Sequence, residues 1–180
     1  PATTLMQESG LTSDQVKSAL KMTVDPLTYD PYEKDFSEMT EEEKSVALEV
    51  EQISSQIVAT VKSFAAAAEG VGLGADEAVG AALRSVAEVV SSKAQASGSI
   101  DFLDPTDLDL VVSNLSQEVE TLSAPGENDA NAVAFTSVAE SVTDQIVEFN
   151  TKISEIEDLE ASSAKNIFSS VEAISAIIQT

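Results

Sequence analysis

The residues best suited to chemistry in this chain are aspartates gathered in two short stretches. Asp25, Asp30 and Asp35, with Glu38 just beyond, lie in one Pro-containing segment. Asp101, Asp104 and Asp107, followed by Asp109, lie in another. Carboxylate oxygens on a loop are the hard ligands that Ca2+ takes, so both segments are candidate Ca2+ sites, and Ca2+ is the one cofactor the sequence suggests. Neither follows the EF-hand pattern, because both lack the central Gly at its required offset. The competing reading is local. Asp25 and Asp30 make Asx turns ahead of Pro26 and Pro31, and Asp104 caps a helix that Pro105 opens.

Other chemistries have fewer residues to work with. The chain has no His and no Cys, which excludes Ser-His-Asp and Cys-His catalysis, thiolate metal sites and zinc sites built on His. The run Gly70-Val71-Gly72-Leu73-Gly74 lacks the Lys-Ser/Thr of a phosphate loop and follows a helical pattern rather than a strand, so it reads as a helix stop. Among 32 Asp and Glu, carboxylate pairs at glycosidase spacing arise by chance, and the aromatic platforms of carbohydrate sites are scarce, with 2 Tyr and 6 Phe. The chain is therefore read as non-enzymatic. Asn114-Leu115-Ser116 matches a glycosylation sequon inside a helical pattern and is read as coincidence. Tyr29-Asp30-Pro31-Tyr32 is either a partner-binding spot or, more simply, the fastening of a loop to the body of the protein.

The formal net charge is −23, from 32 acidic and 9 basic residues. Such a balance argues against nucleic acid, whose phosphates need clustered Lys and Arg, and against docking on anionic lipid. High salt or divalent cations would relieve the self-repulsion. No run of 18 apolar residues is present, so no transmembrane helix is expected. An opening at Pro1 without Met is expected of a processed product or of a piece of something longer.

The elements that would position these residues are helices. The chain is 43% hydrophobic but only 4% aromatic, and its aliphatic side chains recur at steps of three and four. Two short helices are expected within 1–22, the first ended by Gly10 and the second opened by Thr12-Ser13-Asp14, with Val16, Ala19 and Leu20 on one face. Asp25-Pro26 and Asp30-Pro31 break the pattern, and Leu27, Tyr29, Tyr32 and Phe36 are available to pin the loop. Thr40 with Glu43 is a capping box in sequence. It opens a helix of about 28 residues, roughly 42 Å long, with Val46, Val50, Ile53, Ile57, Val61, Phe64 and Ala68 as its stripe.

A helix at about 75–96 carries Ala78, Val79, Ala82, Leu83, Val86, Val89 and Val90. The segment 100–104 is extended or turn-like. From Pro105 the stripe is Leu108, Val111, Val112, Leu115, Val119 and Leu122, stopped by Ala124-Pro125-Gly126. A helix from Asn128 or Asp129 uses Phe135, Val138, Val142, Ile146, Phe149, Ile153 and Ile156. A last helix at about 161–179 uses Ala164, Ile167, Phe168, Val171, Ile174 and Ile178. The expected fold is all-α: an antiparallel bundle of about five amphipathic helices, with an N-terminal helical hairpin and an Asp-Pro loop. Residues 1–39 form that N-terminal part and 40–180 the bundle, together one compact domain. A long two-stranded coiled coil is the lesser alternative.

The N-terminal residues carry a likeness. Pro1-Ala2-Thr3-Thr4-Leu5, Gly10-Leu11-Thr12, Val16 with Ala19-Leu20, and Val24-Asp25-Pro26-Leu27-Thr28-Tyr29-Asp30-Pro31-Tyr32 together resemble a recurrent helical segment of large bacterial secreted and cell-surface proteins. Those proteins often bear cadherin-like, Ig-like or RTX-type calcium-binding repeats. Here Met22-Thr23-Val24 stands where that segment has Leu-Pro before its first Asp. The later order is also similar: an Ala-rich helix, a Gly-containing break, a second Ala-rich helix and an Asp-Phe turn. The resemblance implies a bacterial extracellular or surface setting and a structural or interaction role in adhesion or matrix, with a protein partner or self-association. It supplies no catalytic residue. The alternatives are a self-assembling subunit of an extracellular filament or layer and a calcium-stabilised domain.

Overall fold

The structure is a computed structural model that describes residues 1–30, 33–124 and 126–176; of Ser163 and of residues 171–176 it describes the backbone alone. Pro31, Tyr32, Pro125, Val171, Ile174 and Ile178, named above from sequence, lie outside the described residues or side chains. Seven α-helices occur among the described residues: α1 (Ala2–Ser9), α2 (Ser13–Ala19), α3 (Glu41–Gly70), α4 (Ala75–Gln95), α5 (Pro105–Leu122), α6 (Asn128–Ser154) and α7 (Ser162–Ala176). A 3-10 turn, Phe36–Glu38, lies in the loop before α3.

Local chemistry sets several helix ends. At the start of α3, Thr40 Oγ1 accepts the Glu43 N–H at 3.2 Å while the Glu43 carboxylate accepts the Thr40 N–H at 2.8 Å. This reciprocal box satisfies two donors that a helix start otherwise leaves unpaired. Thr12 and Gln15 repeat the device at α2. Asp104 Oδ1 accepts the Thr106 N–H at 2.9 Å, with Pro105 at the first helical position, where its missing N–H costs nothing. Gly10 ends α1 at φ 67°, its N–H donating to Met6 O at 3.0 Å. A side chain strains in that left-handed region.

Helices α3, α4, α5 and α6 form a closed ring in which each packs on its two neighbours. Cross-links fix their sense. Gln52 Nε2 of α3 donates to Ile153 O at 3.1 Å, and Gln56 Nε2 donates to Asn150 O at 3.4 Å, so α3 and α6 run antiparallel. Arg84 pairs with Glu118, and Lys93 with Asp107, between α4 and α5. Asn128 Nδ2 donates to Glu120 O at 2.8 Å, and the hydroxyls of Ser116 and Thr136 meet at 3.3 Å, between α5 and α6. The architecture is thus an up-down four-helix bundle. α1 and α2 pack outside on α4, and α7 packs on α3.

Phe64, Phe135, Ile57, Leu108, Leu115 and Ile146 fill the bundle core, and Leu5 and Val16 from the first two helices join the same cluster. Each such burial contributes about 1.5–3 kcal/mol. Ala65 and Ala68 on α3 and Ala78, Ala81 and Ala82 on α4 are buried, and their short side chains let helices approach closely. A second, smaller cluster of Ile153, Ile156, Ala164 and Phe168 attaches α7, with Leu48, Val58 and Phe149 packed against it.

One helix face differs from the sequence pattern. On α6 the buried residues are Phe135, Ala139, Thr143, Ile146, Asn150 and Ile153, while Val138 is 41% exposed. Asn150 occupies a core position on this face, its Oδ1 buried without a partner among the described residues. Its Nδ2 donates to Phe102 O at 3.0 Å and to Thr60 Oγ1 at 3.3 Å. That pairing ties the 100–104 turn to α3, and a buried carbonyl left without a donor would be costly.

Candidate functional site

The loop before α3 is held on that helix by charge. Lys34 pairs with Glu43, and Lys44 Nζ sits 5.2 Å from the centroid of the Phe36 ring. Lys34, then the Thr40 N–H, lowers the Glu43 carboxyl to about 2. The Tyr29 phenol is raised by burial and by the Glu43, Asp30 and Glu49 charges. Across α3 stands the turn that follows α6. Gln52 Nε2 holds it by also donating to Ile156 O at 2.9 Å, and Asp158 Oδ1 accepts the Glu160 N–H at 2.8 Å.

Between these two loops open two adjoining clefts. One, of about 670 Å³, is lined by Phe36, Met39, Ala47, Glu51, Leu159 and Phe168 with the ends of Lys34 and Lys165. The other, of about 380 Å³, is lined by Glu41, Lys44, Leu48, Glu157 and Asp158. Phe36, Leu159 and Glu160 line both. The lysines at the loop side are already engaged, Lys34 by Glu43 and Lys44 by Glu41 at 3.2 Å. Asp35, Glu157 and Glu160 make no ion pair among the described residues. The larger cleft has an apolar floor with an acidic rim, and the smaller one is lined mostly by charged side chains.

The aspartates singled out from sequence are dispersed. Asp25 Oδ1 accepts the Ser13 hydroxyl and, at 2.8 Å, the Leu27 N–H; the two bonds, Ser13 first, lower its pKa. Asp101 Oδ1 accepts the Leu103 N–H at 2.9 Å. Asp104 caps α5, and the Thr106 N–H lowers its pKa. Asp107 is buried, its two oxygens taken by Lys93 and, at 2.8 Å, by the Asp101 N–H. Asp30 and Asp35 are exposed on the first loop, as is Glu38, and Asp109 is exposed on α5. Among the described residues no three carboxylates gather where one ion could reach them all. No helix is long and apolar enough to cross a membrane, again among the described residues. The sequon residue Asn114 turns its amide toward α4, 3.5 Å from Ser85 O.

The sequence reading missed Lys62. It is 8% exposed in the middle of α3, its Nζ has no hydrogen-bond partner among the described residues, and burial lowers its pKa to about 8. Ala59 and Ser55, one and two turns before it on the same face, are buried too. Because α3 packs against α4, α6 and α7, it is enclosed on more than its apolar stripe. No single-helix pattern carries that signal; only a count of its neighbours does. The clefts were equally invisible, since their walls come from segments more than a hundred residues apart in the chain.

Comparison of the chain with protein-family models, with curated proteins and with solved structures gives no match.

Proposed function

We propose that this chain is a non-enzymatic structural and interaction module of a bacterial extracellular adhesin-like or matrix protein. The double cleft at the α3–α7 end of the bundle carries the interaction part of this reading. Half-buried apolar side chains, Phe36, Met39 and Leu159, lie together there in a concavity. The exposed large apolar residues among the described ones, Leu27, Leu110, Val133 and Val138, are scattered over the first loop, α5 and α6. The extracellular setting rests on the likeness of residues 3–32 to segments of secreted and surface proteins.

The test uses the parent protein on its own cells. Antibody raised against this chain labels intact cells, and Leu159→Arg in the parent abolishes attachment of cells to one another or to a surface while the protein level holds. Unlabelled intact cells remove the address. Normal attachment by a cleft variant present at wild-type level removes the role.

A further inference from the structure

We propose that the double cleft is a docking groove for a basic amphipathic helix of another protein. The proposal rests on the reading of the chain as an interaction module and adds the chemistry of the partner. The floor offers Phe36, Met39 and Leu159 half-buried and ready to be covered. The larger cleft, with Phe36, Met39 and Leu159 on its floor, suits the apolar face of one helix, and the smaller one beside it, lined mostly by Glu41, Lys44, Glu157, Asp158 and Glu160, suits that helix's cationic side chains.

The rim decides the charge of the occupant. Its loop-side lysines are neutralised by Glu43 and Glu41, which leaves Asp35, Glu157 and Glu160 facing the solvent at the mouth, with Lys165 as the rim lysine without an ion pair among the described residues. A second copy of this chain is disfavoured there. Each copy carries a formal charge of −23, and two such surfaces repel at contact distance. Lys and Arg flanking an apolar stripe meet both requirements at once: the stripe covers the floor and the cations face the rim.

The experiment titrates the full chain, by calorimetry at low and physiological salt, with three 18-residue peptides. One is an amphipathic helix of Leu, Ala and Lys, one replaces each Lys by Glu, and one keeps the Lys but replaces each Leu by Ser. The expected result is one Leu/Ala/Lys peptide bound per chain, with the other two at least tenfold weaker. Glu157→Lys with Glu160→Lys, exposed substitutions that leave the floor intact, weakens the first peptide at least tenfold. Hydrogen exchange of the complex is slowed in α7 and in residues 36–51. Equal binding of the Leu and Ser versions, or indifference to the paired Glu→Lys change, overturns the proposal as mere attraction between opposite charges. Dimerisation of the chain alone through residues 36–51 overturns it in favour of a second copy. If the peptides fail while Leu159→Arg still abolishes cell attachment, the partner chemistry falls and the interaction reading stands.

Discussion

The buried Asp107 of α5 and the half-buried Lys93 of α4 form an ion pair at the turn joining the two helices, and the second Asp107 oxygen holds the Asp101 N–H at 2.8 Å. A residue that fits a Ca2+ ligand set in sequence is thereby committed to closing the α4–α5 corner. Removing it leaves Lys93 and a backbone donor without their acceptor. Asp107→Ala is expected to cost about 2–3 kcal/mol, at the lower end for a broken pair because Lys93 keeps some access to water. Asp107→Asn, which still accepts the Asp101 N–H, should recover part of it. Urea unfolding followed by circular dichroism measures both, and a neutral Asp107→Ala would refute the pairing.

The same commitment bears on calcium. Asp25, Asp101, Asp104 and Asp107 each spend carboxylate oxygens on hydrogen bonds within the chain. Melting in Ca2+ should therefore match melting in Mg2+ at the same concentration, both acting through the −23 net charge alone. A specific site at a hundredfold excess over its Kd would add about 2.7 kcal/mol for Ca2+. An EDTA-reversible gain of that size seen with Ca2+ and absent with Mg2+ would establish such a site.

Lys62 gives a pH signature. Its folded pKa, lowered by burial to about 8, lies below the ordinary lysine value, so the unfolded chain binds its proton more tightly. The penalty is complete below pH 8 and is relieved as pH rises from there toward the unfolded value of about 10.4. Lys62→Met should stabilise the protein by on the order of 1–3 kcal/mol at pH 7, and its advantage over the parent should shrink by pH 10. A pH-independent difference between the two proteins would show that Lys62 is not desolvated in solution.

Asn150 is the test of the buried α6 face. Asn150→Ala opens a gap and leaves Phe102 O and Thr60 Oγ1 without their donor. The expected cost is about 2–4 kcal/mol. Val138→Ala, on the exposed flank, should change stability by less than about 0.5 kcal/mol. Comparable losses at the two positions would restore the stripe read from sequence.

What the sequence by itself determined is local. The Thr40–Glu43 box, the Asp104–Pro105 start and the Gly10 stop form from neighbours in the chain, so they could be read from spacing and residue type. Aliphatic recurrence required amphipathic helices packed side by side, and short breaks required antiparallel neighbours; the all-α bundle follows from those two facts. Tertiary structure decided which face each helix turns inward. On α6 it buries Asn150, bonded to a turn 48 positions earlier, while Val138 of the apolar stripe is left exposed. It also decided that α3 is enclosed widely enough to bury Lys62, and that the 33–39 and 155–161 loops face each other across α3 to make the clefts. These outcomes depend on contacts between distant segments, and the periodicity of one helix carries no information about what will be packed against it.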